Sequence, residues 1–288
     1  MKKRFALITL ALFAGVFLGG CGKSGEGGGG GSSPSEAAPA SAAAPASDAA
    51  SAALPAKLAY EKIVVGLDDN FPPMGFRDEK NELVGFDIDM AREAGKRLGV
   101  EMAFKPIDWS AKEAELSARR VDVLWNGLTI TEERKKNILF TPAYMENHQI
   151  IIVAAASPIK SKADLAGKTV GIQEGSSAVQ AVEKEPQVRQ SFKELKQFGD
   201  NVTALMDLGS GRLDAVVVDE VVGRYYVAKK AGEYEVLQDN FGAEEYGVGM
   251  RLDDAALLTA LTETMAAMKA DGTSARIATQ WFGADVTR

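Results

Sequence analysis

An arginine and an aspartate, set in two separate segments, could together hold a zwitterion. In "NGLTITEERKK" (126–136), Arg134 follows Asn126, Gly127, Thr129 and Thr131. A guanidinium presents a planar fork of N–H groups that grips a carboxylate through two parallel hydrogen bonds. Lys135 and Lys136 read as a solvated run, so Arg134 alone is expected to turn inward. In "LDAVVVDE" (213–220), a run of β-forming residues ends on Asp219, a carboxylate that could accept an ammonium group. Asp219 equally stands where it could cap the following helix. One fixed cation facing one fixed anion is the minimum needed to recognise an α-amino acid.

Composition removes several other chemistries. The 288 residues contain one cysteine, Cys21, and one histidine, His148. An intrachain disulfide, a cysteine-ligated metal and thiol catalysis in the folded body are therefore excluded, and a histidine zinc site or Ser-His-Asp triad has very little to work with. The formal charge of −7 argues against nucleic acid as a partner. "AGKT" (166–169) resembles the end of a phosphate-binding loop, but position 162 is Lys162 rather than glycine, and a strand follows it rather than precedes it. Asp87 and Asp89 in "GFDIDM" are expected to be a helix cap and a surface residue, not a catalytic acid pair. No metal or cofactor is expected.

The elements that must position Arg134 and Asp219 begin after a long N-terminal stretch. Lys2, Lys3 and Arg4 precede an apolar run from Phe5 to Leu18 that ends in "LGGC". This resembles a bacterial lipobox, so residues 1–20 are expected to be a lipoprotein signal peptide and Cys21 a lipidated (palmitate-bearing) first residue. Residues 21–56 are rich in Gly, Ser, Ala and Pro, the composition of a disordered tether. From Lys57 onward, short apolar runs alternate with helical patterns. Strands are expected over 62–67, 101–104, 121–125, 149–156, 168–172, 213–219 and 246–250. Helices are expected over 85–99, 110–119 (capped by Ser110), 177–184, 201–211, about 220–230, and as a pair across 253–282. That rhythm predicts α/β architecture with largely parallel sheets. Asn126, Gly127 and Thr129 then fall at the carboxyl end of a strand, where open α/β sheets place ligands. Thr131 reads as the N-cap of a helix with Arg134 at its third position.

Four segments carry a specific resemblance: "GLDDNFPPMGFRDEKNELVGFDIDMAREAGKRLGV", "NGLTITEERKKNILFT", "GIQEGSSA" and "LDAVVVDE". Together, over nearly all of 60–283, they resemble the bacterial solute-binding protein family 3, the extracytoplasmic receptors of polar amino-acid ABC transporters. The resemblance implies a two-lobed periplasmic binding protein fold (type II), each lobe a mainly parallel sheet flanked by helices, joined by two hinge strands. Lobe 1 would be 57–145 plus 247–288 and lobe 2 149–243, with crossings near 145–149 and 245–248. It also implies the ligand contacts. Arg134 and Thr129 would take the α-carboxylate with N–H groups around Ser176 and Ser177. Asp219 and the Gly127 carbonyl would take the α-ammonium, and Phe71 and Trp109 would sandwich the side chain. Asp68, Asn126 and Gln173 complete the set.

Gln173 and Asn126 are neutral and Asp68 is an acid, a mixture favouring a neutral or cationic side chain; Gln, His, Arg, Lys and cystine all stay open. Trp109 could equally be a core or capping residue, and Asp68 a turn residue. The implied partners are the permease of an ABC transporter and, through the lipid, a bacterial membrane. The protein would be a monomer in the periplasm or at the cell surface, and not an enzyme. The alternatives are a periplasmic enzyme on the same fold, like a cyclohexadienyl dehydratase, and a ligand-sensing surface lipoprotein.

Overall fold

Strand β1 (Lys62–Leu67) is the first element in the computed structural model, in which residues 59–288 are described. The expected signal peptide (1–20), Cys21 and the tether to residue 56 lie outside the described residues. After β1 comes a small antiparallel sheet of β2 (Asn70–Phe71), β3 (Gly75–Arg77) and β4 (Leu83–Val84), then helix α1 (Phe86–Leu98). Next are β5 (Glu101–Pro106), α2 (Lys112–Ser117), β6 (Val123–Leu124) and β7 (Ile138–Phe140). The long β8 (Met145–Ala154) leads to β9 (Thr169–Gln173), α3 (Ser177–Glu183), α4 (Pro186–Ser191) and β10 (Glu194–Phe198). Then follow α5 (Asn201–Gly209), β11 (Ala215–Asp219), α6 (Glu220–Lys229) and β12 (Tyr234–Tyr246). The chain closes with β13 (Gly249–Arg251), α7 (Ala255–Ala270) and α8 (Thr273–Phe282).

Two five-stranded sheets result, ordered β5-β1-β6-β13-β7 and β10-β9-β11-β8-β12. In the first, β5, β1 and β6 run parallel and β13 is antiparallel to both of its neighbours. In the second, β10, β9, β11 and β12 run the same way and β8, antiparallel to both of its neighbours, lies between β11 and β12. In each sheet four strands thus run the same way, as the alternating pattern requires, and one, β13 in the first and β8 in the second, runs against them. The packing follows from the sequence: α1 turns Phe86, Ile88, Met90, Ala91 and Ala94 into the core and ends at Gly99, whose left-handed φ of 69° lets its N–H close on the Gly95 and Lys96 carbonyls.

Several expectations need correction. Ser110 does not cap a helix; Asp108 does, accepting from the Ser110 N–H at 2.9 Å, and the helix is a 3-10 turn running into α2. The "TITEER" segment builds no α-helix. Thr131 Oγ1 does accept from the Arg134 N–H at 3.1 Å, but only a 3-10 turn over Arg134–Lys136 follows, too short to offer a helix dipole. Strands β10 and β12 were not foreseen, and the single strand expected over 246–250 is the end of β12 plus β13. Asp87 is no cap either: it is 1 % exposed and accepts hydrogen bonds from distant groups.

Candidate functional site: a cleft between the two sheets

The carboxyl ends of strands from both sheets converge on one place. β1 delivers Asp68, β5 delivers Trp109, β6 delivers Asn126 to Thr129, β9 delivers Gln173 and the serines, and β11 ends on Asp219. All eleven expected ligand contacts are buried. Arg134 is 5 % exposed while Lys135 and Lys136 are exposed, so the basic run divides as expected.

Arg134 reaches both sides of the cleft. Its guanidinium donates to the Thr129 carbonyl at 2.8 Å and to the Gly175 carbonyl at 3.2 Å. Lys112 Nζ donates to the same Gly175 carbonyl at 2.7 Å and lies 5.3 Å from the centre of the Trp109 ring. Gly175 must be glycine: its φ is +70°, and a Cβ there would sit 2.8 Å from the Ser110 backbone across the cleft. Gly127 is constrained likewise, at φ +57° with a Cβ position 2.9 Å from Phe71 Cε1. Burial first, and then the Arg134 charge, push the Lys112 amine down to about 7. Burial also lowers Arg134, which stays a cation at any accessible pH.

One end of the cleft is built around Asp68. Its carboxylate accepts from Gln173 Nε2 at 2.7 Å and from the Asn70 N–H at 2.8 Å, and the Asp68 N–H donates to Asn126 Oδ1 at 3.0 Å. Gln173 is itself fixed by Asn201 Nδ2, at 3.0 Å from its Oε1. Burial raises the Asp68 carboxyl to about 6. Asp68 does accept the local N–H typical of a turn residue, but its other oxygen faces Gln173 across the cleft. Ser176 Oγ turns back onto the Gln173 carbonyl at 2.8 Å, whereas Ser177 Oγ meets Thr129 Oγ1 at 2.9 Å.

Asp219, at the other end, is 4 % exposed and makes no capping hydrogen bond to α6. It accepts instead from Tyr246 Oη at 2.7 Å, Asn147 Nδ2 at 2.9 Å and Gln149 Nε2 at 3.0 Å. Burial, and then the nearby Glu244 carboxylate, raise it to about 8.

Besides Lys112, four further contributors escaped the sequence reading. Asp87 accepts from the Gly127 N–H at 2.7 Å and Tyr144 Oη at 3.0 Å, fixing the β6 loop from beneath; burial raises its carboxyl to about 7. Asn147 and Gln149 sit on β8, and Glu244 on β12, within the two crossing strands. The one available signal was that β8 opens with "ENHQ", polar residues set ahead of an apolar run that begins at Ile150.

A fold of two α/β halves with a polar, oppositely charged cleft at the carboxyl ends of their strands defines a two-lobed small-molecule-binding protein. Residues 63–284 match the bacterial extracellular solute-binding proteins, family 3, and the chain belongs to that family. It is 34 % identical over 230 residues to the L-cystine-binding protein TcyJ of Escherichia coli, covering 78 % of this chain and 84 % of that one. An ABC uptake transporter substrate-binding protein from Streptococcus pneumoniae with bound histidine superposes with a TM-score of 0.76 at 34 % identity, covering 79 % of this chain and 94 % of that one. An ancestral arginine-binding protein bound to arginine gives a TM-score of 0.73 at 39 % identity, covering 77 % and 99 %.

Proposed function

We propose that this protein is an extracytoplasmic receptor that binds a polar L-amino acid, with a neutral or cationic side chain, and delivers it to the permease of an ABC transporter. The observation that carries the reading is Arg134, a cation buried in the cleft beside Thr129 and Ser177 and set opposite the buried acid Asp219. An α-carboxylate fits the first and an α-ammonium the second. The lobes are 57–145 plus 247–288 and 149–243, with β8 and β12 as the hinge. Phe71 and Trp109, both buried at the cleft, flank the side chain, and Asp68 with Gln173 reads its far end. The relatives named for cystine, histidine and arginine support an α-amino acid whose side chain is neutral or cationic.

The role is binding without turnover. The cleft's charged groups are engaged in hydrogen bonds that hold its geometry, and the one histidine, His148, is tied to Glu220 at 2.9 Å. The test is a thermal-shift and calorimetric screen of the common L-amino acids and cystine. At least one neutral or cationic member should raise Tm and bind saturably, and failure of all of them overturns the reading.

The lipobox-like "LGGC" supports an anchor on a bacterial membrane through a lipidated Cys21, with the 21–56 segment as tether. Cys21→Ser should move the protein from the membrane fraction to soluble or uncleaved material. Unchanged fractionation, with no lipid found by mass spectrometry, would count against the anchor.

A further inference from the structure

Two buried cations on one wall of the cleft converge on a single carbonyl of the other. Lys112 opens α2 and Arg134 follows β6. Both donate to the carbonyl of Gly175, in the turn between β9 and α3, Lys112 at 2.7 Å and Arg134 at 3.2 Å. Lys112 is 4 % exposed and Arg134 5 %. Their other hydrogen bonds also go to neutral carbonyls, Lys112 to Trp109 at 3.1 Å and Arg134 to Thr129 at 2.8 Å. Among the described residues, neither is hydrogen-bonded to a carboxylate. The acids that act on them do so from further off: Glu113 and Asp108 on Lys112, and Glu113, Glu244, Asp219 and Glu133 on Arg134.

Two like charges that share one acceptor, away from water, oppose each other. If the walls meet around an empty cleft, that repulsion stands. An α-carboxylate held by Arg134 supplies the missing negative charge, and the ammonium can then stay on Gly175 without facing a bare guanidinium. The contact therefore favours a cleft that is closed and filled over one that is closed and empty.

Its place suits a part that holds. Gly175 immediately precedes Ser176 and Ser177, and its turn is pressed against the Ser110 backbone of the opposite wall. The other cross-cleft bond from α3, Gln180 Nε2 to Glu133 Oε2 at 2.6 Å, is exposed, where water competes for both partners. The Lys112 bond is charged and buried, so it keeps more of its strength.

We infer that Lys112 is a latch on the closed cleft: its ammonium clasps Gly175 across the two walls once a ligand carboxylate has neutralised Arg134, and so holds the Ser176–Ser177 turn over the ligand. Lys112 is a positioning residue, since it grips the Trp109 and Gly175 carbonyls and leaves the carboxylate to Arg134. The inference rests on the amino-acid and two-lobe reading above. A latch that forms after the ligand has entered slows its departure and leaves its entry alone.

The test is stopped-flow and calorimetry on the full chain, wild type and Lys112→Met, with L-arginine, L-histidine and L-cystine as probes. Methionine keeps an unbranched apolar stem beside Trp109 and removes the charge and the donors. With a probe that binds, K112M should release it about five- to tenfold faster, a charged hydrogen bond partly offset by the cost of burying the ammonium, while the association rate stays within about twofold. A second measurement needs no variant. In wild type, an amine-reactive acetylating reagent followed by peptide mass spectrometry should modify Lys112 about tenfold more slowly at saturating probe than without it. Exposed Lys80 and Lys269 should react equally in both states. If K112M does not fold, this protection decides alone. Release from K112M within about twofold of wild type, a weaker affinity carried by the association rate, or equal labelling of Lys112 with and without bound probe overturns the latch and leaves the amino-acid reading standing. If no probe binds wild type, the amino-acid reading fails and the latch falls with it.

Discussion

Arg134→Ala is expected to abolish measurable binding of every amino acid the wild type accepts, whatever its side chain. The guanidinium is desolvated in the cleft, and among the described residues no other cation is hydrogen-bonded at the Thr129–Ser177 end. Lys112, the nearest candidate, is turned to the Gly175 and Trp109 carbonyls. Removing one member of a desolvated charge pair costs about 2–5 kcal/mol, roughly a thirty- to several-thousand-fold loss of affinity. Arg134→Lys should rescue little, because a lysine supplies the charge without the fork. Lys135→Ala and Lys136→Ala act on exposed charges and should cost about 0–1 kcal/mol, with a loss that shrinks as salt is added. Calorimetry showing Arg134→Ala within about threefold of wild type would place the carboxylate elsewhere.

Asp219→Ala should be as severe for binding and much milder for folding. The affinity loss again falls at about 2–5 kcal/mol, since the ammonium loses its principal counter-charge. In the ligand-free protein the balance differs. Asn147 and Gln149 keep Glu244 as acceptor, so only the Tyr246 hydroxyl loses its partner, at a cost of about 1–3 kcal/mol. Against this stands relief of a buried acid whose ionisation is opposed by desolvation and by Glu244. Binding lost with the ligand-free Tm within a few degrees of wild type is the expected pair of results. A collapse of Tm, or intact affinity, would mean that Asp219 serves the hinge and not the ligand.

The charged ends of the cleft were legible in the sequence because each sits within a short, local pattern. "TITEER" and "VVVDE" announce an arginine and an aspartate at strand ends, and the α/β rhythm between them set the sheets. What stayed hidden depends on distance. Asp87 lies two residues after Gly85, in the first turn of α1, and looks like a cap, yet its partners are the Gly127 N–H and Tyr144. Nothing within a few residues of Asp87 encodes that contact. Glu244 lies in β12, whose pairing with β8 shifts register between Val236 and Asn240 and again between Asn240 and Ala243. Bulges break the two-residue alternation that marks a strand, so "NFGAEEY" reads as a polar loop. The 3-10 turn at Arg134 shows the converse: a real capping contact from Thr131 need not start a helix.

The position of β13 sets an order of assembly. The second sheet is made from one continuous stretch between Met145 and Tyr246, so its strands can pair as soon as that stretch is available. The first sheet cannot be completed in the same way. β13, residues Gly249–Arg251, inserts between β6 and β7, which precede it by more than 100 residues. Until it arrives, β6 and β7 present open edges to one another, and the wall that carries Asn126, Thr129 and Arg134 lacks its support. Such late, non-local closure is slow and leaves strand edges exposed in incomplete chains. A chain truncated before Gly249 would keep the acidic wall and lose the basic one, so the ability to hold a ligand certifies that synthesis has passed that strand.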